Sequence, residues 1–306
     1  MLHGNPNAFT ANPLNRAGVE RKDPAWLDAQ RKHPGAKLLI LYRGEVLIDR
    51  QPTLSRIQWL TLDAVDALPV SARETVLLGL WDGQPIYACD PSDADQPPFA
   101  DLGEYGSLRN LAPFLSPEEL GIAGQASWLL DWHRRQRFCA AHGDATVSAE
   151  GGFKRVNPKT GTEHFPRCDP VAIVLPYKDD AVCLGRGPQF PQGFMSAFAG
   201  YLEAGETLEM CGARELFEEA GLKIISMKYI FSQPWPFPSS LMMGFIAEVE
   251  DTSLTLDPTE IEEARWFSRQ DLTSMMKGEG AIMVPPKFTI AHQLMKVWLE
   301  RPNTRS

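Results

Sequence analysis

Short apolar runs broken by polar turn residues dominate the first third of the chain. Lys37-Leu38-Leu39-Ile40-Leu41-Tyr42 and Glu45-Val46-Leu47-Ile48 flank Arg43-Gly44, which predicts a hairpin. Thr75 to Leu80 and Pro85 to Cys89 flank Trp81-Asp82-Gly83-Gln84, which predicts a second. Residues 1–36 are rich in Pro, Asn and charge and read as an extended lead-in. Ser116-Pro117-Glu118-Glu119 carries three helix-start signals: a capping hydroxyl, a proline at the first helical position and a glutamate placed to close a capping box. That helix is expected to reach residue 137 and to lead into an irregular linker at 138–143.

From Asp169 onward the pattern becomes mixed. Apolar runs at 171–177 and 181–184 flank Lys178-Asp179-Asp180 and predict a hairpin. A Gly-rich stretch, a helix near 207–220, strands near 224–232 and 240–250 and a final helix near 289–300 follow. The expected class is α/β (α+β). A mixed domain over 169–306 is preceded by a smaller, mostly antiparallel β domain over 1–125 and a linker helix with a ribbon-like region over 126–168.

A length of 306 residues suits two domains, and 43% hydrophobic with 23% charged residues excludes a disordered or fibrous chain. The net charge of -9 argues against broad electrostatic binding to nucleic acid or an anionic membrane. It leaves room for a nucleotide site whose phosphates are met by a metal ion. No apolar run approaches the roughly 18–20 residues of a membrane span. Residues 1–18 lack the apolar core of a signal peptide, and residues 303–306 form no peroxisomal tripeptide. The cysteines, Cys89, Cys139, Cys168, Cys183 and Cys211, are odd in number and scattered, as in a reducing compartment. The expectation is a cytoplasmic protein without membrane contact.

Candidate chemistry concentrates between Gly200 and Leu222. Thr207 is placed to cap a helix and Gly221 to take the left-handed position that ends it. At about 100° per residue, Glu215, Glu218 and Glu219 share one face. Met210, Ala213, Leu216, Phe217 and Ala220 fall roughly opposite, as a stripe expected to pack on a sheet. Like charges so spaced repel, and a divalent cation offsets the repulsion, with carboxylate oxygens the ligands that Mg²⁺ favours. Arg214 is placed to orient a glutamate by a charge-assisted hydrogen bond. Three glutamates alone fit a solvated acidic face equally well.

The whole segment, Gly200-x5-Glu206-x7-Arg214-Glu215-Leu216-x-Glu218-Glu219-x-Gly221-Leu222, resembles the Nudix box at every defined position. The resemblance implies a β–α–β sandwich in which the box forms a loop, helix and loop. It implies Mg²⁺ or Mn²⁺ held by Glu215, Glu219 and a backbone carbonyl of Ala199, with Glu215, Glu218 and Glu219 as the catalytic set.

Further on lies Ser232-Gln233-Pro234-Trp235-Pro236-Phe237-Pro238-Ser239-Ser240. Three prolines stiffen this loop, so its aromatic faces can stack on a flat ring at low ordering cost. A rigid turn with buried aromatics is the alternative reading from composition. The string resembles the SQPWPFPxS motif of the NADH pyrophosphatase and NAD-capped RNA hydrolase subfamily of Nudix enzymes, and His164-Phe165-Pro166-Arg167-x-Asp169-Pro170 resembles its entry to the catalytic domain. The resemblance implies substrate contacts from Phe165, Gln233, Pro234, Trp235, Pro236, Phe237, Pro238, Ser239, Ser240 and Ala291, the last within a stretch, Pro285-Pro286-Lys287-x-x-Ile290-Ala291, similar to one that closes the pocket. Asp257-Pro258-x-Glu260 resembles the segment that supplies a further metal ligand, here Glu260.

One departure stands out. The subfamily carries a zinc ribbon of two Cys-x2-Cys pairs; here the first reads Cys139 and His142 and the second Asn157 and Thr160. A structural zinc needs four N or S donors, so no structural zinc is expected. The resemblance implies cleavage of NADH or NAD⁺ to AMP and reduced or oxidised nicotinamide mononucleotide, in a homodimer. Removal of NAD caps from RNA 5′ ends, and a dinucleotide sensor without catalysis, are the competing readings.

Overall fold

The computed structural model describes residues 5–50, 54–70 and 73–302. The terminal residues 303–306, on which the targeting expectation rests, and residues 1–4 lie outside them. Two compact units emerge: one of residues 1–7, 168–234 and 240–306, the other of residues 8–167 and 235–239.

In the second of these units, helix α1 (Pro24–Arg31) occupies part of the segment expected to be extended. Its start was marked in the sequence, since the Asp23 carboxylate accepts the Ala25 N–H and Pro24 takes the first turn. Strands β1 (Lys37–Tyr42) and β2 (Glu45–Asp49) form the expected hairpin, with Tyr42 opposite Glu45. The short strands β3 (Arg56–Ile57) and β4 (Leu60–Thr61) follow. β5 (Val76–Trp81) and β6 (Gln84–Cys89) form the second hairpin, and β7 (Glu104–Ser107) pairs with β2. The sheet is antiparallel except where β1 runs parallel to β6, Leu38 opposite Tyr87. That pairing joins the two hairpins, and no local signal announces it.

A single turn, α2 (Leu108–Leu111), precedes the long helix α3 (Pro117–Arg135). Ser116 caps α3 by accepting the Glu119 N–H. The reciprocal half of the capping box is missing. The Glu119 carboxylate turns away and accepts the Ile57 N–H at 3.3 Å and the Trp59 indole N–H at 3.2 Å. Replacing Glu119 by Ala orphans both donors beneath the helix. We expect a loss of about 1–3 kcal/mol, read as a lower denaturation midpoint; an unchanged midpoint would show the contacts to be incidental. After α3 comes a three-stranded sheet of β8 (Val147–Ala149), β9 (Lys154–Val156) and β10 (Glu163–His164), in the order β10-β9-β8.

The other unit is built on β11 (Asp169–Lys178). Its partners are β12 (Ala181–Arg186), β13 (Phe198–Tyr201) and, in parallel, β15 (Ser240–Val249). β14 (Ile224–Trp235) lies at one edge and β16 (Glu263–Ser268) at the other, giving the order β14-β15-β11-β12-β16. The near-continuous apolar run of β11 has a simple cause: both faces are covered. Ile173 and Leu175 pack with α5 (Arg269–Met276) and α6 (Ile290–Leu299) through Leu272, Leu294 and Trp298. Ala172 and Val174 pack on the other side against Cys211, Leu216 and Ala220 of α4 (Leu208–Ala220). Helices thus cover both faces of the sheet, in keeping with the mixed α/β class expected from the sequence. Among the described residues, no helix is long and apolar enough to cross a membrane.

Candidate metal and phosphate site

Helix α4 is bounded as its sequence dictates. The Thr207 hydroxyl accepts the Met210 N–H, and Gly221 ends the helix in the left-handed conformation at φ 73°. Its rotation differs from the expected stripe. Cys211, Gly212, Leu216, Glu219 and Ala220 are buried, whereas Met210 and Phe217 are 57% and 52% exposed and Ala213 is exposed as well. The helix turns inward a face that includes a glutamate.

That glutamate, Glu219, is 7% exposed. A loop docked on the end of α4 brings Glu260 to it. The Thr255 N–H donates to the Ala220 carbonyl at 3.0 Å and the Asp257 N–H to the Glu219 carbonyl at 3.3 Å. The Asp257 carboxylate accepts both the Thr259 N–H and its hydroxyl, tightening the turn that presents Glu260. Beyond the turn, the Glu262 N–H donates to the Arg186 carbonyl at 2.9 Å and its carboxylate pairs with the Arg186 guanidinium at 2.7 Å. Arg186, at the end of β12, thereby anchors the far side of the Glu260 loop.

Glu215, Glu219 and Glu260 each place a carboxylate oxygen within 4.8 Å of the others. Glu215 reaches this position because Gly200 lacks a side chain: a Cβ there would overlap the Glu215 carboxylate. Arg214 is the local organiser. Its guanidinium donates to Glu206 at 2.6 and 2.9 Å, to Glu215 at 2.7 Å, to Glu218 at 3.1 Å and to the Tyr201 carbonyl at 3.0 Å. Nothing in the sequence beyond its place in the box singled out Glu206, yet Arg214 holds its carboxyl at about 2, well below the usual range. Glu218 does not join the three-carboxylate cluster; it is 57% exposed at its side chain and pairs with Arg214.

The cluster fits a divalent cation. Burial, then the neighbouring charges of Glu215 and Glu260, push the Glu219 carboxyl up to about 8, against a hydrogen bond with the Ala199 backbone that favours the charged form. Its buried Oε2 has no hydrogen-bond partner among the described residues. A bound cation removes each of these penalties. Because the folded-state value is raised, Glu219 favours the metal-free fold most at low pH. That contribution falls as the pH rises from the ordinary 4.5 through about 8. In the presence of a chelator we expect the Tm of Glu219→Gln to exceed that of the wild type increasingly across this interval. Adding Mg²⁺ should stabilise only the wild type, and most at the alkaline end. A Tm difference independent of pH would refute the assignment.

The expected substrate contacts divide. Pro236 is buried, Phe237 half-buried and Pro238 exposed, and with Arg43, Ser127 and Asp131 they line a cleft of about 530 Å³. Trp235 and Phe237 meet each other at 4.9 Å between ring centroids, Phe9 packs edge-on to both, and the Arg109 guanidinium lies 4.5 Å from the Phe237 ring centroid. Phe165 is 63% exposed. Pro234 is half-buried, and Ser239 and Ser240 are buried, the Ser240 hydroxyl 3.4 Å from that of Tyr201. Two candidates are otherwise engaged. Gln233 is fully buried; its amide donates to the Phe288 carbonyl at 2.9 Å and accepts the Ile290 N–H at 2.8 Å, so it fastens β14 to the start of α6. The Ala291 side chain packs in the core with Leu294 and Ile173.

The family model of the NUDIX domain matches residues 167–285. That of the NADH pyrophosphatase-like rudimentary NUDIX domain matches 35–132, and that of the NADH pyrophosphatase zinc ribbon domain matches 134–165. In the last segment the four ribbon positions hold one thiol, one imidazole, one amide and one hydroxyl, a set that does not fit zinc. Among curated proteins, the chain is 33% identical to the NAD-capped RNA hydrolase NUDT12 of Homo sapiens and 42% identical to that of Macaca fascicularis, each over 97% of this chain and 74% of the relative. It is 34% identical to the NAD-capped RNA hydrolase NudC of Mycobacterium bovis, over 93% of this chain and 94% of the relative. Box, carboxylate cluster and relatives agree: the chain belongs to the Nudix hydrolase family, in the group that couples an NADH pyrophosphatase-like domain to a Nudix domain.

Proposed function

We propose that the protein hydrolyses the pyrophosphate bridge of NADH or NAD⁺, releasing AMP and reduced or oxidised nicotinamide mononucleotide. The observation that carries this reading is the convergence of Glu215, Glu219 and Glu260. Mg²⁺ or Mn²⁺ is the cation, because an all-carboxylate donor set suits hard ions. When bound, such a cation offsets the charge of the phosphates and makes water a better nucleophile. The chain's residues do the rest. Arg214 fixes Glu215 and Glu218 through its hydrogen bonds, so both stay oriented. Glu219 would be the buried residue holding such a cation, losing its proton to do so, with the Ala199 backbone beside it. Glu218, outside the cluster and open to solvent, would orient a water rather than ligate; its exposure and its pairing with Arg214 support this reading.

A second substrate, RNA carrying an NAD cap, is favoured by the relatives, which are NAD-capped RNA hydrolases. We further propose a cytoplasmic homodimer. The test is a substrate panel with Mg²⁺ and Mn²⁺: NADH, NAD⁺, ADP-ribose, diadenosine polyphosphates and NAD-capped RNA, products resolved by mass. AMP with a nicotinamide mononucleotide is expected from NADH. Calorimetric binding of NADH without any product would instead identify a sensor and sink the proposal.

A further inference from the structure

The segment 134–165 keeps the shape of a ribbon whose metal donors it lacks. Its two turns have the same build. In Cys139-Ala140-Ala141-His142-Gly143 the Gly143 N–H donates to the Cys139 carbonyl at 2.8 Å; in Asn157-Pro158-Lys159-Thr160-Gly161 the Gly161 N–H donates to the Asn157 carbonyl at 2.9 Å. Both glycines have φ 73°, with nothing near enough to touch an added Cβ. Backbone conformation alone therefore demands glycine at each turn.

The side chains are committed elsewhere. Asn157 is fully buried; its amide donates to Asp144 at 3.3 Å and accepts the Lys159 N–H at 3.0 Å. The Lys159 ammonium pairs with the other oxygen of the same Asp144 carboxylate. Asp144 also accepts the Cys139 N–H at its own carbonyl, at 2.8 Å, so one residue ties the first turn to the second. Lys159 first, then Asn157, hold its carboxyl below the ordinary carboxylate range. The Thr160 hydroxyl lies 2.8 Å from that of Thr162. Among the described residues, no three Cys, His, Asp or Glu side chains of this segment gather closely enough to hold an ion.

A second cross-link lies in the interior. Arg155 of β9 is 5% exposed. Its guanidinium donates to the Thr146 hydroxyl and carbonyl, each at 2.8 Å, to Glu74 at 2.8 Å and to Nδ1 of His133 at 2.7 Å. The other nitrogen of His133 bonds the Gly152 carbonyl at 2.7 Å, so His133 Nε2 carries the proton and Nδ1 accepts. Burial lowers the His133 pKa, as a neutral ring facing a guanidinium requires. One fork thus joins the strand after the first turn, the strand before the second and the end of α3.

We propose that this ribbon is closed without metal, Asp144 bridging the two turns and Arg155 cross-linking the strands, in the role that four ligands and a zinc ion fill where the family's ribbon is complete. The test uses the full chain, purified without added zinc and kept in Mg²⁺. Elemental analysis by plasma mass spectrometry should find zinc well below one ion per chain, and a zinc-selective chelator should leave Tm unchanged. Asp144→Ala, which orphans the buried Asn157 amide, should lower Tm by about 2–4 °C, and Arg155→Met by more. The combined His142→Cys, Asn157→Cys and Thr160→Cys variant should take up one zinc ion per chain and become chelator-sensitive, because the turns retain the required backbone. One tightly held zinc per wild-type chain, with a chelator-induced fall in Tm, overturns the proposal. So does an Asp144→Ala variant as stable as the wild type, or a folded triple-cysteine variant that binds no zinc.

Discussion

Glu219→Gln is expected to lower turnover of NADH in saturating Mg²⁺ by about 100-fold or more, corresponding to roughly 2.7 kcal/mol of lost transition-state stabilisation. Glu219 is the buried member of the cluster, in which Glu215, Glu219 and Glu260 each place a carboxylate oxygen within 4.8 Å of the others. Its buried oxygen has no other partner to which its role could pass. The amide is nearly isosteric and removes an unfavourable buried charge, so the variant should fold at least as well as the wild type in chelator. Lost activity with retained stability separates a ligand from a structural residue. Glu218→Gln, which loosens one of several bonds to Arg214 at an exposed site, should cost less. Steady-state kinetics with product analysis by mass decides. Near-normal turnover of Glu219→Gln would remove the metal site from α4.

Gly200→Ala is the second large effect expected. The added methyl would occupy the space of the Glu215 carboxylate, and Glu215 cannot simply yield, because Arg214 holds it at 2.7 Å. A displacement near 1 Å of a positioned group can cost on the order of 100-fold in rate. The signature is a raised Mg²⁺ requirement together with reduced kcat. Gly205→Ala provides the contrast. An added Cβ there meets nothing, and only the positive φ of 92° opposes it, so stability should suffer more than metal affinity. If Gly200→Ala bound Mg²⁺ and turned over like the wild type, glycine at that position would have no link to the carboxylate.

The elements with local signals were legible in the sequence. β11 and β12 declare themselves by apolar runs broken at Lys178-Asp179-Asp180, and α4 by Thr207 and Gly221 at its ends. The clustered glutamates of α4 were legible because their spacing is a local property of one helix, and Glu260 because its loop resembles a known segment. What escaped depends on partners distant in sequence. The parallel pairing of β1 with β6 is set by how two hairpins meet. Glu119 has the right place for a capping box, yet Ile57 and Trp59 claim its carboxylate. Gln233 sits in a segment that resembles a substrate-binding motif, but the start of α6 engages its amide. Two misses were avoidable: Asp23-Pro24 marked the start of α1, and Ser268 with Asp271 forms a complete capping box for α5.

The orientation of α4 has a practical consequence. Hydrophobicity alone would roll this helix until Met210 and Phe217 lay against the sheet; instead Cys211, Leu216 and Ala220 pack there and Glu219 points inward beside Glu260. Those two side chains contribute little to the unit's interior and instead leave greasy surface open to water, the kind that promotes sticking between molecules. Exchanging them for glutamine or lysine should give a preparation that stays clear at higher concentration, with unfolding midpoint and metal affinity unaltered.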